Sequence, residues 1–134
     1  MKLGVGQTAR RDLVITDAII RSYAEITGDY NPLHFDEEFA SGTRFERLIA
    51  QGGIATGLLH ALVAMDLPGP GTVFLNQHWV FPRPVYIGDT ITAKGTINAI
   101  DERRRIRMSF EVTNQDGVTV LKGDATLMQF QPSA

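Results

Sequence analysis

Within the segment Asp29-Tyr30-Asn31-Pro32-Leu33-His34, a carboxylate and an imidazole lie five residues apart on a stretch stiffened by proline. Histidine is the side chain that gains and loses a proton near neutral pH, and a carboxylate beside it accepts one. Asp29 and His34 can therefore hold a water between a proton acceptor and a proton donor. The same spacing suits an Asx-type turn, in which Asp29 and Asn31 satisfy loop amides behind a helix end and do no chemistry. On spacing alone the turn is the simpler reading.

Gln51-Gly52-Gly53 opens a long apolar stretch and leaves unpaired amides at the positive end of a helix dipole. Such amides stabilise negative charge developing on a carbonyl oxygen. The plainer account is that the glycines only let a helix start against a neighbouring strand. Taken together, the two features describe carbonyl polarisation beside an acid/base pair. Adding water to a conjugated enoyl thioester needs that set: a polarised carbonyl, an activated water for C3 and a proton for C2.

Several elements must position these groups. A weak alternation over residues 7–16 predicts a short strand. Thr16 then caps an amphipathic helix through Ile19, Ile20, Tyr23, Ala24 and Ile26, closed by Thr27-Gly28. Because Pro32 has no amide donor and disfavours helical geometry at Asn31, residues 29–35 are expected to form an ordered loop. Asp36 caps a short turn that ends at Ser41-Gly42. A helix from Gly52 to about Asp66, apolar on most of its circumference, must lie deep against a sheet, with Gly53 and Gly57 marking close backbone approach. After the breaker Leu67-Pro68-Gly69-Pro70-Gly71, strands are expected at 72–81, 89–100, 104–114 and 118–130, with Gln115-Asp116-Gly117 as a tight turn. Long β segments after one central helix imply an α+β fold, an antiparallel sheet wrapped around that helix.

The whole chain of 134 residues, 1–134, reads as one domain, since its length leaves little room for a second. With 13 Lys+Arg against 15 Asp+Glu, it has no basic field to grip nucleic acid. No apolar run approaches the ~18 residues of a spanning helix, and the first residues show no leader pattern, so no membrane partner and a cytoplasmic location are expected. The absence of cysteine excludes a disulfide scaffold, a thiolate zinc site and a thiol nucleophile. Three scattered histidines, His34, His60 and His78, give no local metal-ligand spacing, so no metal is expected. His60, within the apolar helix, reads as a core or interface histidine, and His78 as partly buried beside Trp79.

The motif Gly28-Asp29-Tyr30-Asn31-Pro32-Leu33-His34-Phe35-Asp36 resembles the hydratase motif of the MaoC-like (R)-specific enoyl-CoA hydratases, which have the hot-dog fold. Phe45-Glu46-Arg47 through Gly52, Leu67 through Gly71 and Phe81 through Asp89 are similar to the family's later segments in order and spacing. The resemblance implies a helical overhang carrying the active-site loop, with no cofactor. It implies Asp29 and His34 as the catalytic pair, Asn31 as support for their loop, and the Gly52 amide as oxyanion-hole donor. It implies an acyl-CoA substrate, with an acyl-carrier-protein thioester as the alternative, and a homodimer whose continuous sheet places the substrate tunnel near the interface. Asp29 is assigned as base towards water and His34 as donor to C2. One departure is Gln51, where these hydratases commonly carry histidine.

Three further expectations concern the surroundings of this site. Trp79 either narrows the acyl pocket or fills core, and His60 approaches Asp29 from the central helix. Arg103, Arg105 and Arg107 share one strand face, either solvated or a landing site for coenzyme A phosphates. A hot-dog thioesterase is the enzymatic rival, but it commonly employs a carboxylate on the central helix, and residues 52–65 contain none. A non-catalytic acyl-CoA-binding domain would not need both Asp29 and His34.

Overall fold

Five strands, β1 (Thr8–Val14), β2 (Thr72–Val80), β3 (Thr90–Ile100), β4 (Arg105–Thr113) and β5 (Thr119–Gln129), pair antiparallel in the order β1-β3-β4-β5-β2. The computed structural model describes residues 2–132. Along β4 the residues alternate strictly: Ile106, Met108, Phe110 and Val112 are buried, and Arg105, Arg107 and Glu111 are exposed. That period of two gives the sheet one apolar face. Against it lies α4 (Gly52–Ala61), which contributes Ile54, Ala55, Leu58 and Leu59 to a single core. Burial of each of Ile54, Leu58 and Leu59 contributes about 1.5–3 kcal/mol, so the central helix and the sheet face stabilise one another.

The helix does not keep one geometry to Asp66. From Leu62 to Asp66 the turn widens to a π-helix, closed by Leu67 N–H donating to Leu62 O at 2.9 Å. An all-round apolar stretch gives no periodic signal for that change. The close approach expected at both glycines holds at Gly53, where an added Cβ would overlap the Tyr23 hydroxyl. It fails at Gly57, which is exposed and would meet nothing within 4 Å of an added Cβ.

A helical overhang precedes α4. Helix α1 (Asp17–Thr27) begins with the Thr16 hydroxyl accepting from Ile19 N–H at 3.2 Å. It ends at Gly28, whose φ of 82° is the left-handed conformation that glycine adopts without steric cost. Short helices α2 (Pro32–Phe35) and α3 (Glu37–Ser41) follow. The expected loop over 29–35 is thus corrected. Its first half is loop, but Pro32 sits at the first helical position, where the missing amide costs nothing and the fixed φ suits the helix. Asn31, extended as a residue before proline should be, caps that helix instead of entering it.

On the β2 side, Gly123 of β5 pairs with Trp79, and an added Cβ would overlap the His78 carbonyl oxygen and crowd the Trp79 ring. The carbonyl belongs to the β2–β5 ladder, so it cannot move without disturbing strand pairing. Gly123→Ala is expected to cost about 3 kcal/mol, an overpacking penalty at the upper end of the usual range, and to lower Tm by roughly 10 °C. Thermal unfolding followed by circular dichroism measures it. A Tm within about 2 °C of the unsubstituted protein would mean that β2 does not run this close to β5.

Candidate active site

Asp29 follows the left-handed Gly28 directly, and its Oδ1 accepts the Asn31 N–H at 3.3 Å. Asn31 in turn caps α2, its Oδ1 accepting from Leu33 N–H at 3.1 Å, while its carbonyl accepts the His34 N–H at 2.9 Å. The Asx turn and the placing of Asp29 towards His34 are therefore one construction: the turn that satisfies the loop also fixes the carboxylate. Asn31 links the two residues through its own backbone and side chain.

His34 is buried on α2, with 8% of its side chain exposed against 41% for Asp29. Its Nδ1 lies 2.7 Å from the Ile49 carbonyl oxygen. A carbonyl only accepts, so Nδ1 carries a proton and donates it there. Nε2 then faces outward, 4.0 Å from Asp29 Oδ1. That separation is too long for a direct hydrogen bond. One oxygen at about 2.8 Å from each atom fits between them, which is the geometry a shared water requires. Held in this way, Nε2 is a lone pair when the ring is neutral and a donor when it is cationic, while the carboxylate faces it in either state.

Residues 49–52 form a strut that connects this pair to α4. Ile49 N–H donates to Leu33 O at 3.1 Å, Ile49 bridges Tyr86, and Ala50 N–H donates to Val85 O at 2.7 Å. Gln51 is 2% exposed, and its Nε2 donates to Ile20 O of α1 at 3.0 Å. Gly52 follows as the first residue of α4, and its N–H meets no acceptor among the described residues. Glutamine here thus does structural work, tying the overhang to the helix entrance. Neither Ile49 nor this anchoring was visible beforehand, because backbone carbonyls leave no trace in residue type.

The other candidates lie elsewhere. His60 is exposed on α4 and does not approach Asp29: its Nε2 is 2.9 Å from Gln77 Oε1, and its ring stacks on Phe74 at 4.1 Å. His78 is exposed, not partly buried. Trp79 is half-buried on the core side of β2, 5.5 Å from the Phe110 ring, with Nε1 donating to Gln77 Oε1 at 2.8 Å. Arg103 precedes β4, so the three arginines do not share a strand face. Arg105 is engaged by Asp101 at 3.0 Å, and its backbone amide, ahead of other causes, holds the Asp101 carboxyl below its ordinary range. Arg107 lines a polar cleft with Asn76, Asn98 and Asp124 on the sheet face away from α4.

The family model of the MaoC like domain matches residues 2–120, nearly nine-tenths of the chain. The chain belongs to the MaoC-like family. Relatives within and around this family carry named activities. An (R)-specific enoyl-CoA hydratase of Aeromonas caviae is 35% identical over 126 residues, covering 93% of this chain and 94% of that protein. A 3-hydroxybutyryl-CoA dehydratase of Methylorubrum extorquens is 38% identical over 126 residues, 93% of this chain and 78% of the other. Among solved structures, an R-hydratase of Pseudomonas aeruginosa in its unliganded form superposes with a TM-score of 0.90 at 36% identity, covering 97% of this chain and 84% of that one. The five-stranded sheet around α4 is accordingly the hot-dog fold of MaoC-like hydratases, and the overhang α1–α3 is the segment that carries Asp29 and His34.

Proposed function

We propose that this MaoC-like protein is an (R)-specific enoyl-CoA hydratase, adding water reversibly to a trans-2-enoyl thioester to give the (R)-3-hydroxyacyl thioester. The observation that carries this reading is the 4.0 Å facing of His34 Nε2 and Asp29 Oδ1, with Nδ1 fixed on the Ile49 carbonyl. In the hydration direction Asp29 takes a proton from the shared water, the hydroxyl adds to C3, and the imidazolium of His34 gives its Nε2 proton to C2. Gly52 N–H holds the carbonyl oxygen as negative charge grows on it. Neutral His34 and protonated Asp29 then exchange one proton, which restores the pair. Dehydration runs through the same groups in reverse.

Acyl-CoA is the proposed substrate class, with an acyl-carrier-protein thioester as the alternative carrier. A homodimer belongs to the same reading. It is supported by the β2 edge of the sheet, where Val73, Leu75, Val80 and Phe81 are each between 43% and 52% exposed and would be covered by a second copy. A cytoplasmic location is proposed with it; no described helix is long and apolar enough to cross a membrane.

Thioester hydrolysis is the competing chemistry. The central helix offers it no carboxylate before Asp66, and Asp66 is paired with Arg11 at 2.9 Å on the β1 side. Crotonyl-CoA given to the purified protein tests both readings. Loss of the conjugated-thioester absorbance, (R)-3-hydroxybutyryl-CoA on chiral analysis and no free thiol are the expected results. Thiol release would move the assignment to a thioesterase, and an (S) product would overturn the stereochemical reading.

A further inference from the structure

Beside the floor formed by Gly52 lies a cavity of about 210 Å³ whose walls are apolar, including Phe45, Phe81, Val85 and Val120. Among the described residues only two charged ones line it, Arg44 and Arg83, and no carboxylate does. They come from segments 39 residues apart in the chain, drawn together by the Ile49–Tyr86 bridge and the Ala50–Val85 hydrogen bond. Both arginines are exposed, and neither has an ion-pair partner among the described residues. Arg44 instead lies over the Phe45 ring, its Cζ 5.1 Å from the centroid. The adjoining cleft differs, for there Arg47 shares the lining with Glu37 and Glu46.

An apolar cleft with an unbalanced cationic rim fits a ligand that is a flexible arm ending in an anion. Asp29 and His34 do not line this cavity, although Gly52 does. If Gly52 N–H holds the thioester carbonyl, the double bond must point towards the acid/base pair, and the sulfur side is left to the cavity. We infer that Arg44 and Arg83 bind the phosphate of the substrate's phosphopantetheine arm, the group shared by coenzyme A and acyl-carrier-protein thioesters. This rests on the hydratase reading for the position of the carbonyl. Arginine suits the task because its planar fork meets phosphate oxygens in pairs. The outer-face residues Arg105 and Arg107 do not, since the sheet lies between them and α4.

The test compares the unsubstituted protein with the Arg44→Gln/Arg83→Gln variant on crotonyl-CoA, crotonyl-4′-phosphopantetheine and crotonyl-pantetheine. KM for the two phosphorylated thioesters should rise about tenfold, roughly the loss of one charge-assisted contact, and more in low salt than in high. KM for crotonyl-pantetheine should rise several-fold less. An equal rise on all three thioesters, or none on the phosphorylated pair, overturns the assignment. A rise on crotonyl-CoA alone also overturns it in this form, because the nucleotide phosphates would then be the groups bound. Titration calorimetry with free coenzyme A separates the site from catalysis. A protein that hydrates nothing, yet loses about tenfold in coenzyme A affinity on substitution, would sink the hydratase reading and leave the arginine site standing. Equal affinity in both proteins would sink the arginine site.

Discussion

Asp29→Asn and His34→Gln should each lower kcat for hydration of crotonyl-CoA by about 10³-fold, the middle of the range for a positioned general acid or base. The substitutions are chosen to leave the local structure standing. Asparagine keeps the Oδ1 that accepts the Asn31 N–H at 3.3 Å, so the turn survives while the basic oxygen is lost. Glutamine keeps an N–H that can serve the Ile49 carbonyl, which would otherwise be left buried without a donor at a cost of about 1–3 kcal/mol. If the two residues act on one water, the double variant should fall little further than either single one. Steady-state rates, with circular dichroism as the folding control, decide the matter. Retention of kcat to within about tenfold in either variant would remove that residue from the chemistry.

Much of the architecture could be read from residue pattern, and the reasons are local. β4 alternates apolar and polar residues over its nine positions and β3 does so from Thr90 to Ile97, while Gly88-Asp89, Asn114 and Asp116-Gly117 mark strand ends as turn signals. The boundaries of α1 follow from the Thr16 hydroxyl and the left-handed Gly28, two caps whose chemistry is written in single residues. Pro32 misled because the same ring that forbids a helix interior favours a helix start, and only the downstream bonds, His34 N–H to Asn31 O and Asp36 N–H to Pro32 O, reveal which applies.

The candidate site was legible in residue type but not in its wiring. Asp29, Asn31 and His34 lie within six residues of one another, so their types raised an acid/base pair, but spacing alone favoured a turn and the resemblance supplied the roles. His34, however, is oriented by a carbonyl fifteen residues away, and Gly52 is placed by bonds from its own strut to Ile20 and Val85. Such long-range backbone contacts depend on tertiary packing. The same holds for the arginines: Arg103, Arg105 and Arg107 are conspicuous because they cluster in sequence, whereas Arg44 and Arg83 meet only through the fold.

Gly52→Pro should lower kcat by about 10²-fold to 10³-fold, the loss that follows removal of one oxyanion donor, with a smaller effect on KM. Proline deletes the N–H and little else at this position. Gly52 is the first residue of α4, where proline is tolerated, and its N–H serves no acceptor among the described residues, so no helical bond is lost. Gln51 already has φ −64° and ψ 135°, the extended geometry that a residue before proline adopts. The steric neighbour is the Phe81 ring, 3.1 Å from an added Cβ, which has to give by a few tenths of an ångström. Gly52→Ala meets the same ring but keeps the amide, so it isolates the steric contribution. An alanine variant that retains most of the rate beside a proline variant that loses it assigns the carbonyl to this amide. Equal losses in the two would mean that Gly52 is needed for space alone, and the negative charge on the thioester oxygen would have to be met by another donor.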